Sequence, residues 1–152
     1  FTTDVPAAMG FYCDVLGLRL SDRSGDLIAF THGAHASDHH LLAFVKSEGR
    51  GLHHTSWTVE RIDECGMGME QMYAAGFKEG WGVGRHVIGS NYFYYTRDPW
   101  GSFCEFSCDI DFIDEKTEWP SGDYHPEDSF YLWGPAVPEY FVANLEADNA
   151  SA

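Results

Sequence analysis

The chain has 152 residues, 44% of them apolar and 16% aromatic, which is enough to bury one ordinary domain core and argues against a disordered chain. Nine Lys and Arg against 24 Asp and Glu leave a formal net charge of −15, which speaks against a polyanionic partner such as nucleic acid or an anionic lipid surface and leaves small molecules or other proteins. No apolar run approaches the ~18 residues a membrane helix needs, and the first residues lack the basic flank and apolar stretch of a secretion signal, so the cytoplasm is the expected compartment.

The sequence opens on FTTDVPAAMG, with no initiator methionine and already close to a helix start, and is expected to be part of something longer. Asp4 can cap a helix, Pro6 suits its first turn, and Val5, Ala8, Met9, Tyr12 and Leu16 share one face before Gly17 stops it. Residues 19–22, 27–31 and 40–45 then read as short strands, separated by turn-rich pieces such as RSGD and HGAHASD. Residues 53–59 read as another strand, and Ile62, Cys65, Met69, Met72 and Tyr73 lie along one face of a second helix that Gly76 ends. Three more strands follow, one near residues 78–80, then 91–97 and 102–109, the last two joined by the turn Asp98-Pro99-Trp100-Gly101. Between them GWGVGRH reads as a flexible loop. Its glycines, Gly82 and Gly84 with Gly80 before them, make no phosphate cradle, because no Lys-Ser or Lys-Thr follows and no helix opens there.

The order strand, helix, strand, strand, strand therefore occurs twice, which predicts an α+β chain of paired βαβββ modules, 1–46 and 51–109, the first without its opening strand. Setting Val5 against Ile62 gives an offset of 57, so the counterpart of His54 would fall roughly four residues before Phe1. From Ile110 the chain turns rich in Pro, Gly, acids and aromatics; residues 110–146 are expected to form an ordered tail over the module and 147–152 to fray. The four cysteines, Cys13, Cys65, Cys104 and Cys108, lack the paired spacing of a metal knuckle and read as reduced, buried thiols.

Two of the eight histidines form the pair His53-His54 at the head of a strand, and another pair, His39-His40, shortly precedes it. Side chains alternate along a strand, so only one member of the pair His53 and His54 is expected to look into a given cavity. The same alternation sets Phe103, Glu105 and Ser107 on one face and the apolar Cys104, Phe106 and Cys108 on the other. Glu105 is thus an acid amid apolar neighbours, costly to bury without a cation. A divalent metal held by His54, Glu105 and an upstream residue would satisfy it, and two imidazoles with one carboxylate suit iron(II) oxygen chemistry. The plainer alternatives are that Glu105 sits at a solvated edge or pairs with Arg97, that His54 is a hydrogen-bonded core residue, and that His40 and His86 are turn and loop residues. Tyr95 enters the same cavity only if its strand neighbours that of Glu105, as the short intervening turn favours.

FYCDVLGLRLSD, HHLLAFVK, LHHTSWTV, GRHVIGSNYFYYTRDPWGSFCEF and the late WGPAVP, in this order, resemble the type I extradiol dioxygenases of the catechol 2,3-dioxygenase kind, within the vicinal oxygen chelate superfamily. The resemblance runs from Phe1 to about Phe141 and matches the family's C-terminal, catalytic half. It implies a curved mixed sheet built from the paired modules, and a preceding, similarly folded domain outside this chain. His54 and Glu105 match iron ligands, and the third ligand, a histidine on the opening strand, is expected just upstream of Phe1. His40 matches the acid-base residue, His86 a residue touching the substrate oxygens, and Tyr95 a substrate hydrogen-bonding phenol. Trp81, Ile88, Phe93 and Ser107 are expected pocket walls from strand phase and motif position. The implied cofactor is Fe(II), with Mn(II) used by some relatives; the implied partners are a catechol-type aromatic and O2, in a homo-oligomer. The implied reaction inserts both atoms of O2 beside the diol to give a muconic semialdehyde-type product. A metal-dependent glyoxalase-like isomerase and a metal-free small-molecule binding protein share the fold. The first differs in ligand set and lacks the group His40, His86 and Tyr95; the second has no reason to retain a costly acid at position 105.

Overall fold

The structure, a computed structural model, describes residues 1–150, with side chains as far as residue 147. In chain order the elements of the first module are α1 (Val5–Asp14), β1 (Arg19–Ser24), β2 (Ile28–His32), β3 (Ser37–Asp38) and β4 (Leu42–Val45). The second holds β5 (His54–Thr58), α2 (Ile62–Ala74), β6 (Gly80–His86), β7 (Tyr92–Arg97) and β8 (Phe103–Cys108). The tail adds β9 (Phe112–Ile113), β10 (Tyr131–Trp133) and α3 (Leu145–Ala150). A short helix thus covers most of the stretch expected to fray, and residues 151–152 of that stretch lie outside the described residues.

Local chemistry explains both main helices. Asp4 caps α1 by accepting from the Ala7 amide at 2.9 Å, and Gly17 takes the left-handed turn (φ +73°) that leads out of it. Val5 is buried and Ala8, Met9 and Tyr12 are half-buried, whereas Leu16, placed on the same face by the sequence, lies beyond the helix end and is exposed. At the start of α2 the Glu64 carboxylate reaches back to the amides of Glu60 (2.7 Å) and Arg61 (3.3 Å), satisfying donors the helix cannot. Cys65, Met69 and Met72 then pack onto Tyr94, Phe106 and Cys108 of the sheet. All four cysteines are free thiols; Cys65 and Cys108 are buried as expected, while Cys13 and Cys104 are half-buried.

Backbone pairing divides the α+β fold into curved sheets rather than one continuous ladder: β1-β2-β4, β10-β6-β7-β8-β5, and the small pair β3-β9. In the second module β5 closes parallel against β8, with Val59 N donating to Ser107 O at 2.8 Å. The first module repeats the gesture with the chain before α1, where Thr2 N donates to Val45 O at 2.9 Å and Thr2 bridges Lys46 in parallel. Since Thr2 and Val59 stand in the same offset as Val5 and Ile62, the repeat read from the sequence holds at the level of individual hydrogen bonds.

Strand β6 corrects the sequence reading. GWGVGRH is not a loop, and the strand expected near residues 78–80 runs instead from Gly80 to His86. Its glycines are there for close approach: a Cβ at Gly84 would lie 2.6 Å from the Phe93 ring and 2.8 Å from the Trp133 carbonyl, and Gly82 takes φ +118° at an irregularity in the β6–β7 register. Strand β7 separates two cores, sending Tyr94 toward α2 and Phe93 and Tyr95 into an aromatic cluster with Trp81, Phe103 and Phe141. Gly84→Ala is expected to destabilise the fold by roughly 1–3 kcal/mol through overpacking, read as a lower urea midpoint; an unchanged midpoint would show that β6 and β10 are not held this closely.

Candidate functional site

A cavity of about 310 Å³, within the range of small-molecule sites, opens between the two larger sheets. Ile28, Phe30 and Val45 wall it from β2 and β4, and Trp81, Tyr95 and Glu105 from the opposite sheet. The tail closes it with Phe130 and Phe141. His40, His54 and His86 all reach this cavity. So does His53, contrary to the alternation expected from the sequence, because β5 begins only at His54 and His53 lies ahead of the pleat.

Glu105 sits at the centre of this arrangement. It is 3% exposed, and antiparallel pairing of β7 with β8 sets Tyr95 directly opposite it. Asn91 Nδ2 donates to its Oε1 at 3.2 Å and to Ser107 Oγ at 2.9 Å, and the Ser56 hydroxyl donates to the carboxylate as well. His54 Nε2 stands 3.8 Å from Oε2 and His86 Nε2 3.8 Å from Oε1. Arg97, the alternative partner, is engaged elsewhere, donating to Glu79 Oε2 at 2.6 Å. Burial pushes the Glu105 carboxyl up to about 7, against the polar neighbours Ser56, Tyr95 and Asn91 that lower it. Burial likewise holds the imidazoles neutral, with His54 and His40 brought down to about 3 and His86 to about 4.

The hydrogen-bond partners decide which nitrogen each ring presents. His53 Nε2 lies 2.6 Å from the Phe141 carbonyl, which can only accept, so this nitrogen carries a proton. In the neutral ring His53 Nδ1 then accepts, and the contact of 2.6 Å with His54 Nδ1 is donated by His54. The lone pair of His54 is thereby left on Nε2, the atom that faces Glu105. His86 follows the same rule. Its Nδ1 donates to the Phe130 carbonyl at 2.7 Å, and its Nε2 meets the Tyr95 hydroxyl at 3.0 Å.

These donors fit a divalent cation. The His54 Nε2 lone pair and a Glu105 oxygen, 3.8 Å apart, are too distant for a hydrogen bond yet close enough to share one ion, and an ion there would offset the cost of the buried carboxylate. Among the described residues no group of three His, Cys, Asp or Glu side chains converges on one point, so two donors are what these residues supply. Of the expected pocket walls, Trp81 and Ile88 line the cavity and Phe93 and Ser107 do not. Phe93 lies behind His86, stacked with ring centroids 4.0 Å apart, and Ser107 is covered by the Asn91 amide. Sequence reasoning missed Asn91, His53, Phe130 and Phe141. The adjacency of His53 to His54 was a signal; the tail aromatics gave none, since only docking over a long chain separation brings them in.

The fold and cavity define a module of paired curved sheets around a small-molecule site, and the chain belongs to the Glyoxalase/Bleomycin resistance protein/Dioxygenase superfamily, which its residues 1–106 match. It is 62% identical, over 97% of its own length and 46% of the other, to a protein of Cupriavidus necator named metapyrocatechase 2. It is 32% identical, over 71% of its length and 40% of the other, to an iron-dependent extradiol dioxygenase of Rhodococcus jostii (strain RHA1). In structure it resembles the Mn(II)-bound glyoxalase of Novosphingobium aromaticivorans, with a TM-score of 0.73 and 26% identity over 89% of this chain and 44% of that one. The chain thus spans about half the length of the curated relatives it matches. No described helix is long and apolar enough to cross a membrane.

A carboxyl whose folded pKa is raised gives stability that is present below the unfolded value, near 4.5, and lost as pH rises through about 7. With metal removed by chelator, Glu105→Gln is therefore expected to melt higher than the parent at pH 8, the gap closing as pH falls toward 4.5. The imidazoles of His40, His54 and His86, whose pKa values are depressed, work in the opposite sense: the stability they give is present above 6.5 and lost in both proteins as pH falls toward 4. A parent that out-melts the variant at pH 8 without metal would mean that Glu105 already has a counter-charge.

Proposed function

We propose that the protein containing this chain is an extradiol ring-cleaving dioxygenase, dependent on Fe(II), that inserts both atoms of O2 into a catechol to give a muconic semialdehyde-type product. The observation that carries this reading is the buried Glu105 carboxylate facing the lone pair of His54 across a cavity with room for an aromatic ring. The names of the Cupriavidus and Rhodococcus relatives point the same way. His54 and Glu105 hold the metal, and a third donor is proposed on chain leading into Phe1, where a strand continuing the parallel bridge from Thr2 to Lys46 along β4 would deliver it.

When bound, the iron supplies a Lewis-acidic, redox-active centre for the catechol oxygens and dioxygen. The chain's own residues do the rest. Trp81 and Phe30 flank the aromatic substrate and keep water from it. Tyr95 and His86, linked at 3.0 Å, orient the ring oxygens and stabilise charge on them. His40, at the opposite wall and neutral at physiological pH, would take the proton of a substrate hydroxyl on Nε2 and give it back to a product oxygen. A glyoxalase-type isomerisation is the rival reading, motivated by the Novosphingobium relative; the trio His40, His86 and Tyr95 favours ring cleavage.

The full-length protein reconstituted with Fe(II) is expected to consume oxygen with catechol and form a yellow ring-fission product, and to lose this activity to a chelator. His40→Phe is expected to lower kcat about 10²-fold with iron content retained. Glu105→Gln is expected to lose iron by elemental analysis. No oxygen uptake by the iron-loaded protein, with isomerisation of a hemithioacetal instead, would overturn the reading.

A further inference from the structure

We infer that Asp22 and His39 form a buried relay whose task is to fix which nitrogen of His40 faces the cavity, making both of them positioning residues for the proposed acid-base group. The inference rests on the ring-cleavage reading for its kinetic consequence, though not for its geometry. His39 is fully buried and Asp22 is 3% exposed, so their contact is shielded from solvent. His39 Nε2 lies 2.7 Å from Asp22 Oδ2, and a carboxylate only accepts, so the proton resides on Nε2 of His39. The other ring nitrogen of His39 meets His40 Nδ1 at 3.0 Å. With the one ring proton of His39 held on Nε2 by Asp22, its Nδ1 accepts and His40 Nδ1 donates, which leaves the His40 lone pair on Nε2, the nitrogen free to serve the cavity.

The surroundings hold this order in place. The second oxygen of Asp22 accepts from the Gly122 amide at 2.6 Å, so the carboxylate cannot rotate without losing a bond. Ser21 Oγ binds the His39 carbonyl and lies 2.8 Å from His32 Nδ1. Trp119 stands edge-on to His39 at 5.2 Å, and a Cβ on Gly89 would come within 3.3 Å of both histidine rings. Close packing around the fully buried His39 opposes a flip of its ring. A buried carboxylate that served only packing would be a costly choice, since an apolar side chain would fill the same space.

The isosteric Asp22→Asn variant separates positioning from packing. Its amide oxygen must keep the Gly122 amide, so its NH2 turns to His39 and demands an acceptor there. His39 then carries its proton on Nδ1, and His40 is driven to carry its own on Nε2, which removes the base from the cavity. In the full-length, iron-loaded protein Asp22→Asn is expected to lower kcat about 10²-fold, with KM for catechol and iron content unchanged, and to cause no further loss in a His40→Phe background. In 15N spectra of the full-length protein, recorded with zinc(II) in place of the paramagnetic ion, the His40 proton is expected on Nδ1 in the parent and on Nε2 in the variant. An unchanged kcat, an equal loss in both backgrounds, or a parent His40 protonated on Nε2 would overturn the relay. If the parent cleaves no catechol the ring-cleavage reading fails on its own, and the tautomer measurement still decides the relay.

Discussion

A carboxylate held out of water in the middle of a strand is a costly feature, and the site is organised around it. Strand β8 carries Glu105, β7 lays Tyr95 opposite it, the turn into β7 supplies Asn91, and the ends of β5 and β6 bring His54 and His86 within 3.8 Å. Behind them Trp81, Phe93, Phe103 and Phe141 form a dry aromatic wall. That wall raises the carboxyl to about 7 and equally strengthens any charge interaction made inside. The cation proposed to be shared with His54 would turn that penalty into a binding site.

The two histidine pairs solve one problem twice. In each, the first ring is tethered by a group that only accepts, the Phe141 carbonyl for His53 and the Asp22 carboxylate for His39. The second ring, adjacent in the chain, then donates inward through Nδ1 and is left with Nε2 for the cavity. Both tethers depend on the tail. Phe141 belongs to it, and Asp22 is held by the Gly122 amide. The segment after residue 110 therefore sets proton positions in the site as well as covering it, and β10 extends the sheet that carries His86.

Much of this was legible in the sequence because local rules governed it. Asp4, Gly17 and the apolar face of α1 followed from capping and periodicity, and the neighbouring of the strands that carry Tyr95 and Glu105 followed from the short turn between them. Val5 and Ile62, from which the repeat offset was taken, are the first residues of α1 and α2. What failed were features that depend on distant neighbours. Gly80, Gly82 and Gly84 read as a loop because glycine is a poor strand former; they are required by the Phe93 ring and by carbonyls of Tyr95 and Trp133, which no local pattern discloses. Phe93 was assigned to the cavity from motif position, yet His86 folds over it. Asp22 looked like the end of a strand, and only its contacts with His39 and Gly122, the latter 100 residues away, give it a role.

Anomalous diffraction from crystals of the full-length protein, recorded on either side of the iron absorption edge, tests the centre of this picture most directly. One strong iron peak is expected within bonding distance of both His54 Nε2 and a Glu105 oxygen, with a third protein donor from chain before Phe1. A peak elsewhere, or a fully occupied iron that Glu105 does not touch, would contradict it and leave the buried carboxylate without an explanation.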